Sequence, residues 1–232
     1  MRNRTFVAAA TLLPLFLASC ETTSRSEPSQ GVARVDDLLG YVERVHTESE
    51  LAKQRVQTAY SLMSAVVNRT YKTDAQTAFQ EFSRSIDEAE AQSERLRTLV
   101  RSTRTAAQKV FEQWNTDLMQ IQNPQMRMRS EARLDTTYKR YQTLLAAMRS
   151  AEAGYDQLQK QLRDLTLFLG HDLNPASIAE VRDDARAIGD LAEDVDGRFH
   201  RSLAAARDYL SAARIANAQD ASPTQQTPSA PR

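Results

Sequence analysis

Side chains whose types and spacing could do chemistry stand at four places in this 232-residue sequence. Cys20 is the only thiol, so it can form no internal disulfide, and it is either an attachment point or chemically idle. Glu43-x-x-His46 has the spacing at which one helix offers a carboxylate and an imidazole to a single metal ion. Such a site needs a second Glu-x-x-His and further inward carboxylates, and the sequence supplies neither. Both residues also lie off the apolar seam of their segment, which makes them a solvated helix face. His171-Asp172 has the types of a catalytic pair but no nucleophile beside it, and next to Asn174 and Ser177 its plainer role is to satisfy helix ends. His200 follows the core residue Phe199 and has no evident partner. None of the six glycines precedes a lysine, so there is no phosphate-binding Gly-x-x-x-x-Gly-Lys loop. The expectation is a non-enzymatic chain with no catalytic residues, no metal and no cofactor.

That leaves Cys20 and its setting. Arg2 and Arg4 precede an apolar run from Phe6 to Leu17, and small residues stand directly before the cysteine. This is the layout of a secretory signal, and about twelve apolar residues interrupted by Pro14 are too few to cross a hydrocarbon core of ~30 Å. The alternative is an ordinary secretory peptide with an incidental cysteine. Leu17-Ala18-Ser19-Cys20 resembles the lipobox of bacterial lipoproteins. That resemblance implies cleavage after Ser19, acylation of the Cys20 sulfur and of the new amino group, and membrane contact through acyl chains, enough for stable anchoring. By the same resemblance, Glu21, where enteric inner-membrane lipoproteins carry aspartate, favours the outer membrane and a periplasm-facing location.

Without residues 1–19 the chain keeps 213 residues with 28 Lys+Arg and 30 Asp+Glu, a net charge of −2. This is ample for one extended domain, and it lacks the basic footprint a general nucleic-acid binder needs. Residues 20–31 are polar and read as a lipidated flexible tether. From 32 to 216 the apolar residues recur in alternating steps of three and four, which excludes strands and predicts an all-α fold of supercoiled helices. The first seam is Val35, Leu38, Val42, Val45, Ser49, Ala52, Val56, Ala59, Met63, Val66. The others run from Ala75 through Phe82 and Ile86 to Trp114, from Leu134 through Tyr138, Tyr141 and Tyr155 to Leu169, and from Ile178 through Phe199 to Ala213.

The breaks carry their own signals. Thr73-x-x-Gln76 reads as a capping box, Asn123-Pro124 as a cap with proline at the first helical position, and Gly170 as a left-handed helix stop. Asn174-Pro175 and Ser177-x-x-Glu180 are two overlapping start signals. Helices are therefore expected at about 32–68, 74–122, 124–169 and 175–216, with a disordered tail at 217–232. Short connections predict a long antiparallel four-helix coiled-coil bundle, up-down-up-down, preceded by the lipoprotein signal peptide.

Within that bundle Trp114 and Phe111 are either a ligand-stacking pair or core, and heptad spacing favours core. Met119, Met126 and Met128 flank the second connection, where they are expected to close the end of the core, the alternative being an adaptable contact surface. Residues 25–50, 98–147 and 196–216, which share the anchored end, sum to +3, and residues 51–97 and 148–195 to −4. Basic groups near anionic headgroups are worth up to ~1 kcal/mol each, so Arg127, Arg129 and Arg133 are candidate membrane-facing residues.

At Lys109-Val-Phe-Glu-Gln-Trp114, Tyr141-Gln-Thr-Leu-Leu-Ala-Ala-Met-Arg-Ser-Ala-Glu152 and Leu167-Phe-Leu-Gly-His-Asp-Leu-Asn-Pro-Ala-Ser-Ile-Ala179 the chain resembles a bacterial family catalogued as domain of unknown function 2959. The resemblance spans about residues 35–210 and implies a helical fold and an envelope association, with no activity or functional residues attached. The expected function is a non-catalytic scaffold or adaptor, bound to membrane lipid through acylated Cys20 and to an envelope protein. The alternative is a helical module that dimerises on the bilayer surface, and a distant third is an enzyme, which a continuous apolar seam leaves little room for.

Overall fold

A computed structural model describes residues 30–220, with side chains placed from 35 to 214. Leu17, Ala18, Ser19, Cys20, most of the expected tether and the tail from 221 lie outside the described residues. The described chain is all α-helical: α1 Gln30–Asn68, α2 Ala75–Gln120, α3 Pro124–His171, α4 Pro175–Glu180 and α5 Arg182–Asp220. At 1.5 Å per residue the four long helices extend roughly 60–70 Å each. Gln30 and Gly31, expected in the tether, already belong to α1, and 217–220, expected in the tail, still belong to α5.

Local chemistry sets the ends. Asn68 is followed by Arg69 at φ 57°, the single described non-glycine residue in left-handed conformation. Its N–H donates to Val66 O at 3.3 Å and that of Thr70 to Ala65 O at 3.0 Å, the paired bonds of a Schellman stop with arginine in the place glycine usually fills. The α2 cap is Asp74 rather than the expected Thr73. Its two carboxylate oxygens accept from the Thr77 amide at 2.9 Å and the Thr77 hydroxyl at 2.7 Å, and those bonds hold its pKa below the usual carboxylate value. An ionised carboxylate offers two acceptors to the N-terminal amides, and Thr73 sits one residue too early to compete.

Asn123 caps α3 as expected, accepting from Gln125 and Met126 amides at 2.9 and 3.2 Å. Gly170 does not stop α3. No described glycine has positive φ, and the helix runs through Gly170 to His171. Asn174 alone then starts the next helix, accepting from the Ala176 and Ser177 amides at 2.7 and 3.0 Å, while Ser177 lies inside it. The expected fourth helix is in fact two. It breaks at Val181 (φ −89°, ψ 7°) and restarts with Asp183 and Asp184 in the first turn, where acidic side chains favour a helix N-terminus.

α1 packs against α2 and α5, and α3 against α5 and α2. Across α1 and α2, Glu48 meets Gln92 and Arg55 meets Glu88; across α2 and α3, Phe111 meets Tyr138, Arg97 meets Asp156 and Asp87 meets Arg163. Across α3 and α5, Tyr141 meets Tyr209 and Tyr155 meets Phe199; across α1 and α5, Glu43 meets Arg214 and Gln57 meets Asp196. In every set the numbers rise on one helix as they fall on the other.

The seam residues of α1 from Leu38 to Val66 are all buried, as are Phe82 to Val110 of α2, Tyr141 to Leu169 of α3 and Ile178 to Tyr209 across α4 and α5. Tyr155, Phe82 and Phe199 are the bulkiest fully buried side chains, and Tyr155 donates its hydroxyl to Ala89 O at 2.7 Å while its ring lies 5.7 Å edge-on to Phe199. Burial pushes the Tyr155 pKa up to about 12. Gly154 lets α3 and α5 close, since a Cβ there would stand 2.9 Å from Arg198 Cδ and 3.2 Å from Val195 Cγ2. One polar side chain, Gln92, is wholly buried and fully bonded. Its Nε2 donates to Glu48 O and Oε2 at 3.0 and 2.6 Å, and its Oε1 accepts from Arg95 at 3.0 and 2.7 Å.

Candidate interaction surfaces

Of the residues with chemical potential in the sequence, Glu43, Asp172 and His200 have structural partners, whereas His46 is not on a solvated face: it is half-buried and its Nε2 is covered without a hydrogen-bond partner. Glu43 bonds Arg214 across α1 and α5 at 2.7 Å, and no group of three or more potential metal ligands exists among the described residues. Asp172 accepts from Asn174 Nδ2 at 2.6 Å and Ser177 Oγ at 3.3 Å, tying the turn between α3 and α4, with His171 exposed beside it. His200 does have partners. Lys53 Nζ donates to its Nε2 at 2.7 Å, and Asp196 lies 3.3 Å away and also accepts from Gln57. The cluster is half-buried at Lys53 and Asp196 and exposed at His200; Asp196 and His200 are neighbours one turn apart on α5, while Lys53 reaches them from α1 across 147 positions of sequence.

Apolar surface concentrates at the two ends instead. Seven large apolar side chains are exposed among the described residues, and Met119, Met126, Met128 and Tyr138 belong to the α2–α3 hairpin tip. The methionines are 82, 56 and 64 % exposed, so they do not close the core. The tip is braced from within. Trp114, only half-buried, donates its indole N–H to Ser130 Oγ at 3.0 Å, and Arg127 folds back to donate from Nε and Nη2 to Ile121 O at 3.1 and 2.8 Å. Phe111 is core, with its ring centroid 5.1 Å from Tyr138 and 5.4 Å from Tyr141. Arg129 and Arg133 are exposed, and between Met119 and Arg140 five basic residues face two acidic ones. Of the three candidate membrane-facing arginines, Arg127 is thus also part of the turn itself. An open groove lined by Phe111, Leu118, Met119, Leu134 and Tyr138 runs along this hairpin.

At the other end Leu167 and Phe168 are 59 and 46 % exposed on the last turns of α3. Phe168 flanks a second groove, between α3 and the α4–α5 break, floored by Leu165, Val181 and Ile188 and rimmed by Asp164, Glu180 and Asp184. From 164 to 194 the sequence carries eight acidic and two basic residues. Along the shaft the α2–α3 face is a ladder of charges in which Arg163 bonds Asp87 and Glu90, and these two carboxylates raise the Arg163 pKa. Ion pairs at such exposure add little stability.

No helix among the described residues is long and apolar enough to cross a membrane. The sequence pattern of one family, described as "Protein of unknown function (DUF2959)", matches residues 25–212, which takes in α1 to α4 and most of α5. No curated protein and no solved structure matches the chain.

Proposed function

The chain belongs to the DUF2959 family of proteins of unknown function, and on that premise we propose that it is a bacterial envelope lipoprotein acting as a non-catalytic scaffold or adaptor. In this reading it is acylated at Cys20, faces the periplasm from the outer membrane, and folds its four long helices into one antiparallel bundle. The cross-helix pairs with opposed numbering support the bundle. The observation that carries the adaptor role is the placement of exposed apolar side chains at the two ends of a shaft whose seam is filled.

In this reading the anchor belongs to one of those ends. Asp37 and Tyr41 near the start of α1 share a surface groove with Lys109 and Val110, so α1 begins at the hairpin-tip end. Ten residues from Cys20 to Gln30 reach at most ~36 Å, which holds the tip close to the bilayer. The acidic end then points outward, where a partner is met.

The test is membrane fractionation with in-cell crosslinking, on the native chain and on Cys20→Ala. The native chain is expected in the outer-membrane fraction with one stoichiometric envelope protein attached, and Cys20→Ala in the soluble periplasm without it. A Cys20→Ala chain that stays in the membrane fraction overturns the anchor. Crosslinks to nothing but lipid and further copies overturn the adaptor. The methionines and arginines of the tip favour a second reading, a module that binds the bilayer surface itself. Anionic vesicles should then retain Cys20→Ala, and retention should drop on changing Arg127, Arg129 and Arg133 to Glu. Equal retention would dismiss that reading.

A further inference from the structure

We propose that the groove between the C-terminal turns of α3 and the α4–α5 break is a docking site for a basic amphipathic helix of a partner protein. The inference rests on the adaptor reading and names the chemistry of the partner it requires. Leu165, Val181 and Ile188 form an apolar floor and are all buried, whereas Phe168 stands half out of the surface along one wall, with Leu167 next to it. The break at Val181 ends α4 beside this floor, so the trough is built into the path of the chain. Its volume is about 500 Å³, room for several side chains, and it is open along its length. An open trough between two helices does not wrap a small ligand, but it does match the way an amphipathic helix lays its apolar face into a groove.

Charge selects the occupant. Asp164, Glu180 and Asp184 line the trough, and Asp183, Asp190, Glu193 and Asp194 continue along α5. Against them stand Arg182, Arg186 and Arg198, of which Arg186 is bonded to Asp183 at 2.6 Å and Arg198 to Asp194 at 2.7 Å. That leaves Asp164, Glu180, Asp184, Asp190 and Glu193 as the acidic excess. An acidic rim around an apolar floor rejects acidic helices and lipid phosphates and steers lysine- and arginine-rich ones. The hairpin tip of a second copy carries basic and apolar side chains too, but in this reading it is held at the membrane, away from the trough.

The test is photocrosslinking in cells on the full-length anchored chain, with a photoreactive phenylalanine analogue at position 168 or, separately, at position 126 on the hairpin tip. The crosslinked peptides are sequenced by mass spectrometry. From position 168 the expected product is one partner segment with net positive charge and apolar residues at i, i+4 and i+7. Its yield should fall by about tenfold or more in a Glu180→Lys, Asp184→Lys background. Glu180→Gln with Asp184→Asn removes the charge without reversing it, and should lower the yield even if the lysine variant does not fold. An acidic or neutral segment, a second copy of this chain, lipid, or a yield indifferent to these substitutions overturns the assignment. A partner captured from 126 but not from 168 also overturns it and leaves the adaptor reading standing. No protein captured from either position removes both.

Discussion

The chain turns twice on Asn-Pro, and the two turns have different outcomes. At Asn123-Pro124 and at Asn174-Pro175 the asparagine side chain accepts from the next two free amides and proline occupies the first helical position. The local chemistry is the same to within a few tenths of an ångström. After Asn174 the first helical turns deliver Ile178 and Val181 to the core, 3 and 4 % exposed. After Asn123 they deliver Met126, Arg127, Met128 and Arg129 to solvent. A cap decides where a helix begins; the side chains that follow decide whether that end is welded to the rest or left as a surface. The segment after Asn174 is core, although Leu167 and Phe168 just before it stay exposed, and the segment after Asn123 is surface held up by a few polar braces.

The largest effect that separates them is cavity formation. Phe82→Ala, at a fully buried position of α2, should cost about 3–5 kcal/mol in chemical denaturation, whereas Met128→Ala at the tip should stay within about 0.5 kcal/mol. Equal losses would mean the tip is core after all. Next comes alkaline pH. The neutral Tyr155 phenol is favoured in the folded state, so its contribution is complete below pH ~10 and is lost as pH climbs toward its folded value of about 12. That loss is on the order of 2 kcal/mol for this buried group. Tyr155→Phe should remove it, flattening the fall of the thermal midpoint between pH 10 and 12.

The two caps give the direct comparison. Asn174→Ala should lower global stability by about 1 kcal/mol, and Asn123→Ala should instead raise hydrogen exchange around 120–130 with a smaller shift in the midpoint. Similar global losses would erase the distinction drawn here. The smallest change is a gain. Arg69→Gly relieves a left-handed arginine and should stabilise the chain by up to about 1 kcal/mol, showing that even the welded end is not optimised.

Much of this was legible in the residues. The α1 seam is buried position by position from Leu38 to Val66 because alternating three- and four-residue steps follow one face of a helix, and only its first member, Val35, is half-buried. The same rule misplaces Tyr138. In that part of α3 the covered stripe passes through Leu134, Thr137, Tyr141 and Leu144, steps of three, four and three where the expected seam steps four, three and four, and the repeat alone does not say which order faces the core. Gly170 was misleading because permission to adopt positive φ is no obligation to do so. The Val181 break has neither glycine nor proline to mark it, and the stop at Arg69 lacks its customary glycine. The end surfaces were half legible: the methionines and arginines could be seen, but whether a methionine faces core or water depends on neighbours brought from other helices. Lys53 meets the Asp196–His200 pair of α5 for the same non-local reason.

Gln92 has a mechanical consequence. The α1 seam is mostly valine and alanine, nearly interchangeable from one repeat to the next, so on that side a slide of one repeat, ~10.5 Å, is only weakly resisted by shape. Such a slide would strip Gln92 of the Glu48 carbonyl and carboxylate and leave its amide dry and unpaired. Gln92 thus works as a polar detent beside the steric one that Phe82 and Ile86 supply. It holds α1 at one height along the α2–α3 hairpin, whose own length is set by the unbroken α3.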